Sequence, residues 1–422
     1  MVQVATSHND NGKRDSMALM KKNAIEGKID LNDWQCESEN SYNKMSLQDG
    51  SLLGGMDWLY IEERAIDKVL PYIVEKGFRK IIIASDAITS ALAGAALNEQ
   101  LNMSDIQVVE TIIQPNSCGD VVADEASVIQ LLLAVQQLQA ELIIAVGTGT
   151  LHDITRYTSY TAGIPFISVP TAPTVDGFNS KGAPLLIRGD KITIGAKGPS
   201  AMFADLLFLQ QAPSRLIAAG FGDMIGKYTS LLDWRFGASE YNEPYLQSTA
   251  DLTISALHDC LEHIEDIAAG SRIGVKILME SLIQSGIAML QFGQSHSASG
   301  SEHHLSHYWE MEYIRIGRRQ VLHGAKVGVA CAEIIKLYKQ LAMQEGGLDF
   351  ANASDQLRRL IEDLPDEETI RSLLRQVGGP SSIEELGIDR ELLQRSLREA
   401  HRVRLNRYTI LRAYNEAREA IN

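Results

Sequence analysis

The chain has 422 residues, of which 45% are hydrophobic and 22% charged; these are globular proportions that argue against wholesale disorder and leave room for more than one domain. Its formal net charge is -15, and an acidic surface opposes non-specific binding to nucleic acid or to an anionic membrane. An anionic substrate must then be held by a local cation or a metal.

Residues 1–55 are read as a polar extension outside the main fold, with an Asn/Asp/Ser/Gly-rich stretch between Glu37 and Gly55 and a helix near Met17–Ile25. A regular alternation follows. Glu62–Lys76 is predicted as a helix, Lys80–Ser85 as a buried strand, Thr89–Leu101 as a helix and Gln107–Ile113 as a strand. Ala123–Gln137 continues as a helix, Glu141–Val146 as a strand, Thr150–Ala162 as a helix and Ile164–Val169 as a strand. Short apolar runs between helical patterns are what a parallel sheet covered on both faces requires, so residues 56–205 are expected to form a Rossmann-like α/β domain. Gly182–Ile194 interrupts it as a hairpin with Arg188-Gly189-Asp190 at the tip. Residues 206–422 are expected to be all-helical, with helices over Arg215–Phe236, Tyr245–Ala268, Ile273–Gln294, Glu302–Ile316 and Lys326–Met343. The cleft between the two domains is the expected active site.

No apolar run is read as approaching the roughly 20 residues of a membrane span, and the N-terminus lacks the apolar segment of a secretory signal. Cys36, Cys118, Cys260 and Cys331 are scattered without a CxxC pair. That pattern opposes a disulfide framework and a cysteine metal site, and it fits a reducing cytoplasm.

Three groups of residues carry chemistry. First, the strand Glu141–Val146 runs into Gly147-Thr-Gly-Thr-Leu-His-Asp153, which opens a helix. Glycines allow close approach to a pyrophosphate, and the helix N-terminus offers free N–H groups; a plain strand-to-helix turn also needs glycine. Asp86, after Ser85, either accepts hydrogen bonds from an adenine-ribose diol or caps the next helix. Second, the stiff loop Pro170-Thr-Ala-Pro-Thr-Val-Asp176 follows the fourth strand at the sheet edge where ligands bind. Third, His296, His303, His304, His307 and His323 lie close together in sequence. His303 and His307 share a helix face by their i,i+4 spacing. Two imidazoles from neighbouring helices and one carboxylate suit a divalent first-row metal with open positions; a chance cluster of histidines is the alternative. The carboxylate candidate is Asp223, with Lys227 one turn on as either an ion-pair partner or a functional cation.

The strings GTGTLHD (147–153), PTAPTVDGFNS (170–180), AAGFGDMIGK (218–227), SGSEHHLSH (299–307) and LHGAKVGVA (322–330) resemble bacterial glycerol-1-phosphate dehydrogenase. That family belongs with glycerol dehydrogenase, the iron-containing alcohol dehydrogenases and dehydroquinate synthase, and the resemblance covers about residues 56–420. It implies NAD(P)-dependent, metal-assisted interconversion of dihydroxyacetone phosphate and sn-glycerol 1-phosphate. By the resemblance, Asp86, Gly149, Thr150, Leu151, His152, Asp153, Thr171, Ala172, Pro173, Thr174 and Ser180 contact NAD(P). Asp176, Asp223 and His307 contact substrate, with Asp223 and His307 catalytic. Asp223, His303 and His323 hold one nickel or zinc ion. A homodimer is implied. Where relatives often carry an arginine before the SG-EH motif, this chain has Ser295-His296-Ser297, so the phosphate is expected to be held by the metal, Lys227 or backbone N–H groups. Glycerol dehydrogenase and a dehydroquinate-synthase-like lyase are the rival readings.

Overall fold

The computed structural model describes residues 55–352 and 354–421; the N-terminal extension, with the helix expected near Met17–Ile25, lies outside the described residues. The strands are β1 (Trp58–Glu62), β2 (Lys80–Ser85), β3 (Gln107–Ile112), β4 (Leu142–Gly147), β5 (Phe166–Pro170), β6 (Gly182–Ile187), β7 (Asp190–Gly195) and β8 (Ala201–Asp205). Six of them form one parallel sheet in the order β1-β8-β5-β4-β2-β3. Its strands are apolar on both faces because helices cover both: Ile81 and Ile83 enter one core with Val69, Tyr72 and Leu97. Ile82 and Ala84 enter the other, with Leu131, Val135 and Ile154.

From β2 onward the spatial order β3-β2-β4-β5-β8 is that of a doubly wound sheet whose direction of winding reverses between β2 and β4. A crevice opens outside the strand carboxyl ends at such a reversal, and it is there that Ser85-Asp86 and Gly147-Thr148-Gly149 lie. The sequence reading missed β1 and β8. Each has five residues, too short for periodicity to separate strand from helix, and the segment around Glu62 was assigned to a helix that instead begins as a turn of 3-10 helix at Ala65. β6 and β7 pair as the expected hairpin. Its tip residues Arg188 and Gly189 both have positive φ, at 54° and 90°, as a two-residue hairpin turn matched to strand twist demands.

From Leu206 onward the described residues contain helices and no strand. Two of the expected helices are each broken in two. Arg215–Phe236 is Ser214–Ile225 followed by Lys227–Tyr241, with the break at Gly226, and Tyr245–Ala268 is Gln247–Glu262 followed by Ile264–Ala268. The helix Arg272–Phe292 has 21 residues and meets the length and composition of a membrane span, although Arg272, Lys276 and Glu280 interrupt its apolar run. It is apolar because it is a core helix: Val275, Leu278, Met279 and Leu282 are fully buried in it. The same core takes in Leu59 and Ile61 of β1 and Met202 and Ala204 of β8, so the sheet's β1–β8 side and the helices share one apolar interior.

The helices Ser214–Ile225 and His323–Met343 approach closely, and glycines make the contact. A Cβ on Gly222 would strike the carbonyl of Gly324, and one on Gly324 would strike the carbonyl of Ala219. Gly222 precedes Asp223 and Gly324 follows His323, so this backbone contact also brings those two side chains together. Backbone cannot give way as a flexible side chain can. Gly222→Ala and Gly324→Ala are each expected to cost about 1–3 kcal/mol, read as a fall in the thermal midpoint. Gly195→Ala, where a Cβ meets nothing, should stay within about 0.5 kcal/mol of wild type.

Candidate active site

The histidine-bearing helix Ser301–Arg315 is anchored at its start by a buried acid. Asp233 accepts from Ser301 N at 2.7 Å, from Ile410 N at 2.9 Å and from Tyr338 Oη at 2.8 Å. This fixes where His303 and His307 emerge. His323 opens the next helix, and Asp223 sits in the last turn of Ser214–Ile225. Ligand atoms of Asp223, His303 and His323 lie within 4.8 Å of one another, with His303 Nε2 3.6 Å from Asp223 Oδ1.

These residues fit a divalent metal. Asp223 is fully buried, and its Oδ1 has no hydrogen-bond partner, with Lys227 Nζ and His303 Nε2 each 3.6 Å away; a buried carboxylate oxygen without a donor is costly. Its other oxygen accepts from Asp176 N at 3.0 Å. His303 Nδ1 donates to Glu302 Oε1 at 2.7 Å, which leaves Nε2 as the free lone pair on the Asp223 side. A carboxylate behind the imidazole is the usual way of fixing a ligand tautomer. Glu302 is itself held by Gly300 N at 2.7 Å and Thr229 Oγ1 at 2.6 Å. Burial pushes its pKa up, but the His303 bond and these donors outweigh burial and keep it below its usual value. Burial also pushes His307 and His323 well below the usual histidine pKa, so both are neutral at physiological pH. His307 stands beside the other two, with ring centroids 6.1 Å from His303 and 5.8 Å from His323.

The loop after β5 joins this group. Lys227 Nζ donates to Asp176 Oδ2 at 2.6 Å and to Ala298 O at 3.2 Å, and lies 3.6 Å from Asp223 Oδ1. Ser285 Oγ also donates to Asp176 Oδ2, at 2.8 Å. Burial alone would lower the lysine's pKa; the Asp176 and Asp223 carboxylates reverse that and keep it charged. Lys227 is thus a fully buried counter-ion between two acids. His296, in the segment before the SG-EH motif, is a buried neutral residue packed edge-on to Trp234 and Phe292, with its pKa pushed down to about 3 by burial.

At the sheet edge the structure sorts the remaining residues. The helix Gly149–Ala162 begins at Thr148 without a side-chain cap, so the first N–H groups of the glycine loop are open to an anion. Leu151 and His152 turn their side chains into the core; His152 lies between Thr148 O at 2.8 Å and Ser168 Oγ at 2.6 Å. Asp153 holds Arg156, whose guanidinium donates to Gly177 O at 2.6 Å and Phe178 O at 3.0 Å. It thereby pins the Asp176 loop to the glycine-loop helix. Thr171, Ala172 and Thr174 are buried in that loop, and Thr174 Oγ1 has no partner. Ser180 Oγ donates to Gly182 O at 3.2 Å. Asp86 is a helix N-cap: Oδ1 accepts from Ile88 N and Thr89 N, both at 2.8 Å, and Thr89 Oγ1 closes the capping box. That use leaves Oδ2 free.

Sequence reasoning missed Glu302, although an acid directly before a candidate ligand histidine was a visible signal. It also missed the cations near His307. Lys191 and Lys326 both bind Glu310, at 2.8 and 2.9 Å, and Arg404 reaches Ser299 from a segment 105 residues away.

Replacing His303 or His323 with Ala is expected to abolish stoichiometric divalent-metal binding while leaving the circular dichroism spectrum unchanged. Glu302→Gln should weaken it roughly 10- to 100-fold, the usual effect of removing a carboxylate behind a ligand histidine. Full metal content in the His variants by elemental analysis would remove the assignment.

Residues 60–213 match the family model described as iron-containing alcohol dehydrogenase. The chain is 48% identical over 375 residues to the glycerol-1-phosphate dehydrogenase (NAD(P)+) of Geobacillus stearothermophilus, covering 86% of this chain and 93% of that protein. It is 42% identical over 365 residues to the protein of the same name from Bacillus subtilis, covering 86% and 92%. Among solved structures, a probable glycerol dehydrogenase from Sinorhizobium meliloti aligns with a TM-score of 0.65 at 15% identity, over 87% of this chain and 97% of that one. That likeness establishes the fold. Sequence identity at this level over nearly the whole of the relatives establishes the family: the chain belongs to the glycerol-1-phosphate dehydrogenases.

Proposed function

We propose that this enzyme reduces dihydroxyacetone phosphate to sn-glycerol 1-phosphate, reversibly, with NAD(P)H and one divalent ion, nickel or zinc, held by Asp223, His303 and His323. The observation that carries the reading is the bare, buried Oδ1 of Asp223 beside the free Nε2 of His303, in a chain whose relatives are named for this reaction. A divalent ion at these residues would supply Lewis-acid polarisation of the substrate carbonyl, and the nicotinamide the hydride.

The chain's own residues orient and shield. Asp176 N and Lys227 together fix the Asp223 carboxylate. His307, neutral in its buried surroundings, offers one N–H and one lone pair to a substrate hydroxyl, and so orients the substrate rather than acting as a strong acid. The uncapped N-terminus at Gly149 and Thr150 takes the cofactor pyrophosphate, with Thr171–Thr174 and Ser180 along the adjoining edge and Asp153 acting through Arg156. Leu151 and His152 contribute backbone only. Asp86 keeps one oxygen for a ribose hydroxyl, and its charge opposes a 2′-phosphate. Holding the cofactor on the sheet side and the carbonyl on the helical side exposes one carbonyl face to hydride, so that a single enantiomer forms; the relatives' names point to the sn-1 isomer. A homodimer and a cytoplasmic location, where reduced nicotinamide is supplied and free cysteines persist, belong to the same reading.

The direct assay is oxidation of NADH or NADPH by dihydroxyacetone phosphate and by dihydroxyacetone, in nickel and in zinc, with chiral analysis of the product. Charge-assisted recognition of a phosphate should give at least about tenfold preference for the ester. Equal efficiency with the two substrates, or an sn-3 product, overturns the reading.

A further inference from the structure

We propose that Arg404 is the residue that recognises the phosphate of the substrate, an inference that rests on the functional reading above. Arg404 ends the 3-10 turn Ala400–Arg404. Its guanidinium donates to Ser299 Oγ at 2.6 Å and to Ser295 Oγ at 3.4 Å, so it sits just before the helix that carries His303 and His307. Ser299 lies two residues before that helix begins and four before His303, and Arg404 is among the charges that act on His307.

Arg404 lacks an acid partner. Among the described residues it makes no ion pair, whereas its neighbour Arg407 binds Glu243 at 2.6 Å. Glu302 is the acid whose charge it feels, and that carboxylate is already engaged by Gly300, Thr229 and His303. Burial and Arg407 push its pKa down to about 10, so it is still charged at neutral pH. A partly buried guanidinium without a counter-ion is unfavourable unless an anion completes it. Unpartnered polar atoms lie in the same region: both ring nitrogens of the fully buried His304, whose surroundings include Arg404, and Ser297 Oγ. A guanidinium fork matches two oxygens of a phosphate monoester.

The lysines beside Asp176 and His307 are committed elsewhere. Lys227 is buried between Asp176 and Asp223. Lys191 and Lys326 share Glu310, which is one turn beyond His307. That trio keeps one net positive charge near the site and is the competing location for the phosphate.

The test compares wild type with Arg404→Gln, Arg404→Lys and Lys191→Gln. It measures kcat/KM for dihydroxyacetone phosphate and for dihydroxyacetone, and the inhibition constant of inorganic phosphate. Loss of one charge-assisted fork should cut the ester-to-ketone selectivity of Arg404→Gln roughly 10- to 100-fold. The loss should come chiefly through KM for the ester and be matched by weaker inhibition by inorganic phosphate. Arg404→Lys should recover part of both; if the Gln variant does not fold, the Lys variant and its phosphate inhibition decide. An unchanged ratio, or an equal fall for both substrates, overturns the inference. Collapse of the ratio in Lys191→Gln with Arg404→Gln retaining it moves the phosphate to the hairpin and also overturns it. Wild-type enzyme without a preference for the ester overturns the functional reading itself, and the inference falls with it.

Discussion

The site depends on one backbone contact. Gly222 and Gly324 let the helices Ser214–Ile225 and His323–Met343 meet carbonyl to Cα, with no room for a methyl group on either. The residues next to these glycines are Asp223 and His323. Two helices at ordinary spacing, 8–10 Å between axes, would hold these side chains farther apart. The third candidate ligand, His303, comes from a helix whose start is fixed by Asp233. Three helices are thus pinned at their ends, close to where the ligand atoms converge, and side-chain freedom is not left to do the positioning.

Around that contact the buried charges form short chains, each acid engaged by more than one donor. Glu302 is satisfied by backbone, hydroxyl and imidazole donors. Asp176 binds Lys227 and Ser285 and gives its own N–H to Asp223. The exceptions stand out against this background. Asp223 Oδ1 lacks a hydrogen-bond donor, and among the described residues Arg404 makes no ion pair.

Much of this was legible in the sequence, for identifiable reasons. β2 spans the predicted Lys80–Ser85 because a buried parallel strand is a short apolar run bounded by polar residues. The hairpin announced itself through Arg188-Gly189, and the candidate ligands through the clustering of His303 and His323 in sequence and the glycine-flanked Asp223. β1 and β8 were not legible. They become strands by pairing with each other over 143 residues of sequence, Trp58 with Ala201, and no local pattern encodes a partner that far away. The break at Gly226 was hidden because apolar periodicity continues through it; a side chain there would meet Val327 and Glu302. Lys227 looked free to bind phosphate because spacing shows an i,i+4 acid but cannot show Asp176 arriving from another loop. Arg404 was invisible for the same reason, since its surroundings are built from residues a hundred positions away.

Anomalous diffraction from crystals of the protein loaded with nickel or zinc tests the central claim most directly. The account predicts one strong peak per chain, bonded to Asp223 Oδ1, His303 Nε2 and a ring nitrogen of His323. A fully occupied peak at other residues, with Asp223 Oδ1 still bare, would contradict it.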